Sequence, residues 1–353
     1  MNDKTERISE LDYMRGFALL GIILTNIISL YNFPTPSNFD QIKYLQFIDF
    51  FVEDKFFTIF SFLFGLGFYI FIRNAQKKDL NTHFVFLRRL TILAVFGILH
   101  QLLQPGEALL LYAIFGLILI PCFYLNKYIN LVLGLIILCI CLYLGNKTIL
   151  PIPYFLLGLS AGQFCLFNNI KTKLLIILTS LSGLISIACW IILSKSYVYP
   201  SYKLLHHTLN NQELADYVQQ QDLYNHLIVI TSPFIALFYV SALLLIVKTN
   251  LFGKGLAPLS FYGRMALTNY VGQTLLIWVV MLMFNKNQLN ITDTLFICVI
   301  IYILQLIAST VWLKFFNYGP LEYIWRIGTY MKVFNNKKPK TQVNYQSRIF
   351  EKN

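Results

Sequence analysis

Residues 11–31 read "LDYMRGFALLGIILTNIISLY". The run is apolar over the ~20 residues a helix needs to cross a bilayer, yet it carries Asp12 and Arg15 near one end and Asn26 toward the other. On an α-helix Arg15 and Asn26 fall on nearly one face, about 16 Å apart along the axis. Asp12, three residues before Arg15, stands within pairing distance of it. A single stripe therefore has a polar group at each end, which a helix in lipid turns toward protein rather than toward acyl chains.

Outward from this segment the pattern repeats. Hydrophobic residues make up 57% of the 353 and charged residues 12%, which excludes an ordinary soluble domain. Ten apolar windows follow, at roughly 14–32, 51–72, 87–103, 107–125, 128–145, 151–168, 173–193, 227–247, 265–284 and 293–316. If the N-terminus is cytoplasmic, inner segments hold about 22 of the 28 Lys and Arg and outer ones about six. The expectation is an all-α, polytopic transmembrane helical bundle of about ten spans, N-in and C-in. The net charge of +12 then reflects membrane orientation, not nucleic-acid binding. Residues 1–330 read as a single transmembrane domain with a polar insertion at 194–226, partly helical and folded over the outer mouth. Residues 331–353 read as a disordered basic tail. The outer connection "PTPSNFDQIKYLQFIDFFVEDK", from residue 34, reads as a solvated loop with an aromatic belt.

Several polar groups depart from the apolar background. His100 ends the third window and Glu107 opens the fourth across a Pro-Gly turn, so a carboxylate is placed to set the proton position of an imidazole, as a general base requires. Glu53 and Asp54 stand at the outer end of the second window, on the side of an acceptor. At the inner side Arg88 and Arg89 join Arg73, Lys77 and Lys78, and Arg264 opens "GRMALTNYVGQ". Guanidinium forks suit phosphate oxygens. Asn269 and Gln273, four apart in the same stretch, share a helix face directed into the bundle. "NYGPLEYIWR" predicts a helix stop followed by a short helix in the cytoplasmic interface. The six cysteines show no CxxC pair or His spacing suited to a metal, and none is expected. Walker, HExxH and GxSxG patterns are absent.

Five stretches, in order, carry a resemblance: "RISELDYMRGFALLGIILTN" (7–26), "FSFLFGLGF" (60–68), "RRLTILAVFGILHQLLQPGEALLLYAIFG" (88–116), "GRMALTNYVGQ" (263–273) and "GPLEYIWR" (319–326). The chain resembles the YeiB-like family of bacterial multipass membrane proteins, a domain-of-unknown-function group. Glu107 departs from the Gly-Asp more usual there. The resemblance implies the bacterial plasma membrane as location. More distantly, the layout is similar to transmembrane acyltransferases, one branch of which has an Arg on the first helix followed eleven residues later by a catalytic His. Here Asn26 occupies that second position.

The expected function is transfer of an acyl group from cytoplasmic acyl-CoA to a small-molecule or envelope-glycan acceptor outside. Asp12, Arg15, Arg88, Arg89, Arg264, Asn269 and Gln273 form the donor side, His100 and Glu107 the base, and Asn26 the oxyanion donor. The alternatives are a transporter of a small metabolite or lipid, and a non-catalytic membrane subunit.

Overall fold

The computed structural model describes residues 9–31, 33, 36, 38–167, 170–199, 210–249, 255–284 and 289–339. Among them the chain is helical throughout, its one β-contact being the isolated bridge Phe316–Lys337. The helices are α1 (Ser9–Tyr31), α2 (Phe39–Phe51), α3 (Lys55–Gln76), α4 (Thr82–Gln101), α5 (Ala108–Gly116), α6 (Leu119–Cys122) and α7 (Lys127–Leu144). They continue as α8 (Pro151–Gln163), α9 (Thr172–Lys195), α10 (Asn211–Lys248), α11 (Ala257–Arg264), α12 (Ala266–Met283), α13 (Asp293–Phe315) and α14 (Pro320–Tyr330).

Eight segments among the described residues are long and apolar enough to span a membrane: α1, α2 with α3, α4, α7, α9, α10, α12 and α13. Two expected windows fall short. The fourth divides into α5 and α6, where Pro121 lacks the N–H that would continue the ladder. The sixth is α8, 13 residues opened by Pro151 and Pro153. The expected solvated loop is also partly a helix, α2, because the Asn38 side chain accepts from Gln41 N at 2.9 Å and Tyr44 and Ile48, four apart, are buried.

The insertion resolves in the same way. Asn210 and Glu213 form a reciprocal capping box, so α10 begins well before its apolar half and runs 38 residues. At 1.5 Å per residue it is about 57 Å long, against a hydrocarbon layer of about 30 Å. Its first turns therefore project beyond the apolar slab. Residues 200–209, with two of the insertion's histidines, lie outside the described residues. So does the tail from residue 340, but 331–339 are docked: Asn317 N donates to Asn336 O at 2.8 Å, and Tyr323 Oη to Phe334 O at 2.7 Å.

Lipid offers no hydrophobic drive for helices to associate, so close approach through small residues does that work. A Cβ on Gly65 would land on the Phe155 carbonyl, and one on Gly158 on the Phe62 carbonyl. These glycines let α3 and α8 touch backbone to backbone. Gly16 and Gly263 do the same for α1 and α11. α1 is thereby held at the centre, against α3, α11, α12 and α13.

Candidate functional site at the two ends of the first helix

The stripe on α1 opens onto two cavities. The first, of about 320 Å³, lies at the Arg15 end and is lined by Arg15, Arg89, Arg264 and Arg326. Its walls are aromatic: Phe60, Phe64, Phe68, Phe71, Phe86, Tyr112, Tyr270, Tyr318, Trp325 and Tyr330. The second, of about 130 Å³, lies at the other end and holds Thr25, Asn26 and Asp54. Phe60, Leu109, Tyr112 and Tyr270 border both. One layer of side chains thus separates two recesses that open at opposite ends of the bundle.

Each arginine is held by its surroundings. Arg15 Nη1 is 3.5 Å from Asp12 Oδ1, and a Cβ on Gly67 would crowd its Nη2. Arg89 lies 3.6 Å from the Trp325 ring and 4.8 Å from Phe71, while Trp325 Nε1 donates to Arg89 O at 2.8 Å. Arg264 Nη2 donates to Asn317 O. Arg326 stands over Tyr318, Tyr330 and Phe334 at about 5 Å. Glu322 is the acid on this cavity, and it is already engaged. It accepts from Leu267 N and Thr268 N at 2.7 and 3.0 Å and from Thr268 Oγ1 at 2.5 Å, so it caps α12. Burial pushes its carboxyl above the ordinary value, and those hydrogen bonds hold the rise back. The recess is therefore cationic and aromatic, suited to an anionic group with an apolar extension.

The other expected residues divide. Arg88, one position from Arg89, is exposed and lines neither cavity, because consecutive helical residues point about 100° apart. Asn269 Nδ2 donates to Tyr262 O and Ser309 Oγ, both at 2.9 Å, and Gln273 Nε2 to Leu19 O at 3.2 Å. They join α12 to α1, α11 and α13 and do not line a cavity. His100 is buried with both ring nitrogens engaged. Nδ1 lies 3.3 Å from Glu107 Oε2 and Nε2 3.0 Å from Thr274 Oγ1. Glu107 also caps α5, accepting from Leu109 N and Leu110 N. The imidazole stands behind Tyr270, ring centroids 5.0 Å apart, and Tyr270 in turn meets Asn26 and the Ala108 backbone.

Around the second cavity the charges are paired. Lys147, in the turn between α7 and α8, lies 3.0 Å from Asp54 Oδ2 and 3.3 Å from Glu53 Oε1. Desolvation lowers its affinity for the proton, but the two carboxylates outweigh this and raise it above the ordinary value. Lys55 is fully buried and donates to Asp49 O at 2.5 Å. Among the described residues no group of His, Cys, Asp and Glu is arranged for a metal ion.

Trp325 and Arg326, which the sequence assigns to an interfacial helix, line the first cavity, as do Glu322 and Tyr270, which no sequence expectation singles out. A signal existed for two of them, since Glu322 and Arg326 are four apart and share a helix face. That face turns into the bundle rather than along the membrane surface.

A helical bundle buried in the bilayer, with recesses at both ends of its first helix, defines a multipass membrane protein. The chain belongs to the DUF418, YeiB-like family: residues 170–332 match the family described as "Protein of unknown function (DUF418)". It is 42% identical over 342 residues to an uncharacterised 39.9 kDa protein encoded in the amylase 3' region of Bacillus acidopullulyticus, covering 93% of this chain and 95% of that one. It is 25% identical to the uncharacterised proteins YxaH of Bacillus subtilis strain 168 (92% and 95% covered) and YeiB of Escherichia coli K12 (91% and 96%). No solved structure matches the chain.

Proposed function

We propose that the protein transfers an acyl group from a phosphate-bearing thioester, of the acyl-CoA type, to an acceptor hydroxyl on the opposite side of the membrane. The observation that carries this reading is the pair of recesses sharing one wall: a cationic, aromatic cavity of about 320 Å³ and a smaller polar one of about 130 Å³. Arg15, Arg89, Arg264 and Arg326 hold the donor's phosphates, and the aromatic walls take the thioester end. The excess of basic residues at the Arg15 end makes that end cytoplasmic. Asn26 stabilises the developing oxyanion, because a donor preset for the charge that forms costs no reorganisation when it forms. His100, fixed by Glu107 and Thr274, positions Tyr270 at the shared wall instead of touching the reacting atoms. The bilayer is its setting, and an envelope glycan or small polyol fits as acceptor.

The test uses the purified full-length protein in sealed vesicles, with acetyl-labelled acetyl-CoA at the Arg15 side and glycerol trapped on the other. Labelled acetyl-glycerol in the lumen, lost with Arg15→Ala, is the expected result. Labelled acetyl-CoA arriving intact would mean transport, and neither product would leave a binding role.

A further inference from the structure

The second cavity has one charged side chain on its surface, and its placement is unlike that of a helix cap. Asp54 precedes α3, where an aspartate ordinarily turns its carboxylate onto the first free backbone N–H groups. Here the side chain makes no capping bond and the backbone is left-handed, with φ 62° and ψ −20°. The residue lies on the cavity with Thr25, Asn26 and Tyr270. Its Oδ2 is shielded from solvent and lies 3.0 Å from Lys147 Nζ.

Neighbouring groups do not compete for the role. Glu53 also reaches Lys147 but does not line the cavity. Lys55 is committed to the Asp49 carbonyl, and both nitrogens of His100 are engaged. Asn26 and Thr25 have no useful basicity. The charged and titratable groups that face Asp54 are Lys147 from the α7–α8 turn, Glu53 and Lys55 beside it, and Tyr154 of α8.

We infer that Asp54 is the general base that takes the proton from the acceptor hydroxyl, an inference that rests on the acyl-transfer reading. In the proposed step the thioester carbonyl passes between the side chains of the shared wall to reach Asn26, and as the acceptor oxygen attacks it the O–H bond breaks toward Asp54 and the new C–O bond forms. The C–S bond then breaks, and the leaving thiolate recovers that proton from Asp54 through water. An ester and a free thiol result, with no change of oxidation state. Lys147 holds the carboxylate in position through their ion pair. The cavity's size admits a hydroxyl-bearing terminus, leaving the rest of the acceptor outside.

The experiment uses the full chain in detergent, acetyl-CoA as donor and glycerol as hydroxyl probe, reading thiol release against pH and acetyl-CoA binding by calorimetry. Asp54→Asn is expected to bind acetyl-CoA as the wild type does and to lose about 10²-fold or more in turnover. Asp54→Glu restores part of it, and Glu53→Gln stays within a few-fold of wild type. Lys147→Met removes the ion-pair partner that holds the Asp54 carboxylate at the cavity and is expected to lower turnover several-fold with acetyl-CoA binding unchanged. Asp54→Asn with wild-type turnover overturns the inference alone. A wild-type protein that binds acetyl-CoA but releases no thiol, or does not bind it, overturns the acyl-transfer reading and the inference with it.

Discussion

Arg326 and Arg88 make opposite cases about how much one residue discloses. Arg88 lies in a basic stretch and faces outward, whereas Arg326, the single basic residue in its segment, lines the cationic cavity. Arg326→Ala and Arg15→Ala are each expected to weaken acetyl-CoA binding about 10-fold or more, since hydrogen bonds to charged groups contribute about 1.5–3 kcal/mol. Arg88→Ala should leave it unchanged, and calorimetry on the three variants decides. Arg15, Arg89 and Arg264 could be read from the sequence because charge at the end of an apolar run is conspicuous. Arg326 was masked by an alternative, interfacial use for its helix. His100 makes a different prediction. His100→Ala removes the side-chain links to Glu107 and Thr274 and leaves a hole between them, which lowers stability by about 1–3 kcal/mol, measurable as an earlier thermal transition. Because Asp54 rather than His100 takes the proton in the proposed step, that variant is expected to keep measurable turnover.

At the scale of elements, apolar length was legible and continuity was not. Windows of hydropathy cannot see that Pro121 interrupts α5–α6, or that α8 is only 13 residues, opened by Pro151 and Pro153 and packed against α3 through Gly65 and Gly158. Gly158→Ala is expected to cost about 1–3 kcal/mol, because the added methyl meets backbone that cannot move aside. Gly183→Ala, whose methyl meets only the edge of the Phe238 ring, should be nearly neutral. Unfolding of both variants in one detergent provides the comparison. The cap of α12 shows the same limit of sequence. Glu322 lies 55 residues from Leu267 N, which it accepts from, and no local pattern announces such a pairing. Removing it with Glu322→Ala should cost about 1 kcal/mol and loosen the α11–α12 break at Met265, read by faster hydrogen exchange at Leu267 and Thr268.

For the whole molecule, the distribution of basic residues over the loops leads to the expectation that both ends of the chain are cytoplasmic. With the six native cysteines replaced, a cysteine at Asn146 should react with an impermeant maleimide added outside intact cells, and one at Lys78 should not. Both positions are exposed, at opposite ends of the bundle. The reverse pattern would invert the donor and acceptor sides. What composition could not supply was the layer formed by Phe60, Leu109, Tyr112 and Tyr270, which depends on α3, α5 and α12 converging. Where recesses on both sides fill with electrolyte, the membrane voltage no longer falls evenly over about 30 Å of hydrocarbon. It falls mainly across that layer, so a unit charge driven through it exchanges with the potential nearly the full ~2.3 kcal/mol per 100 mV.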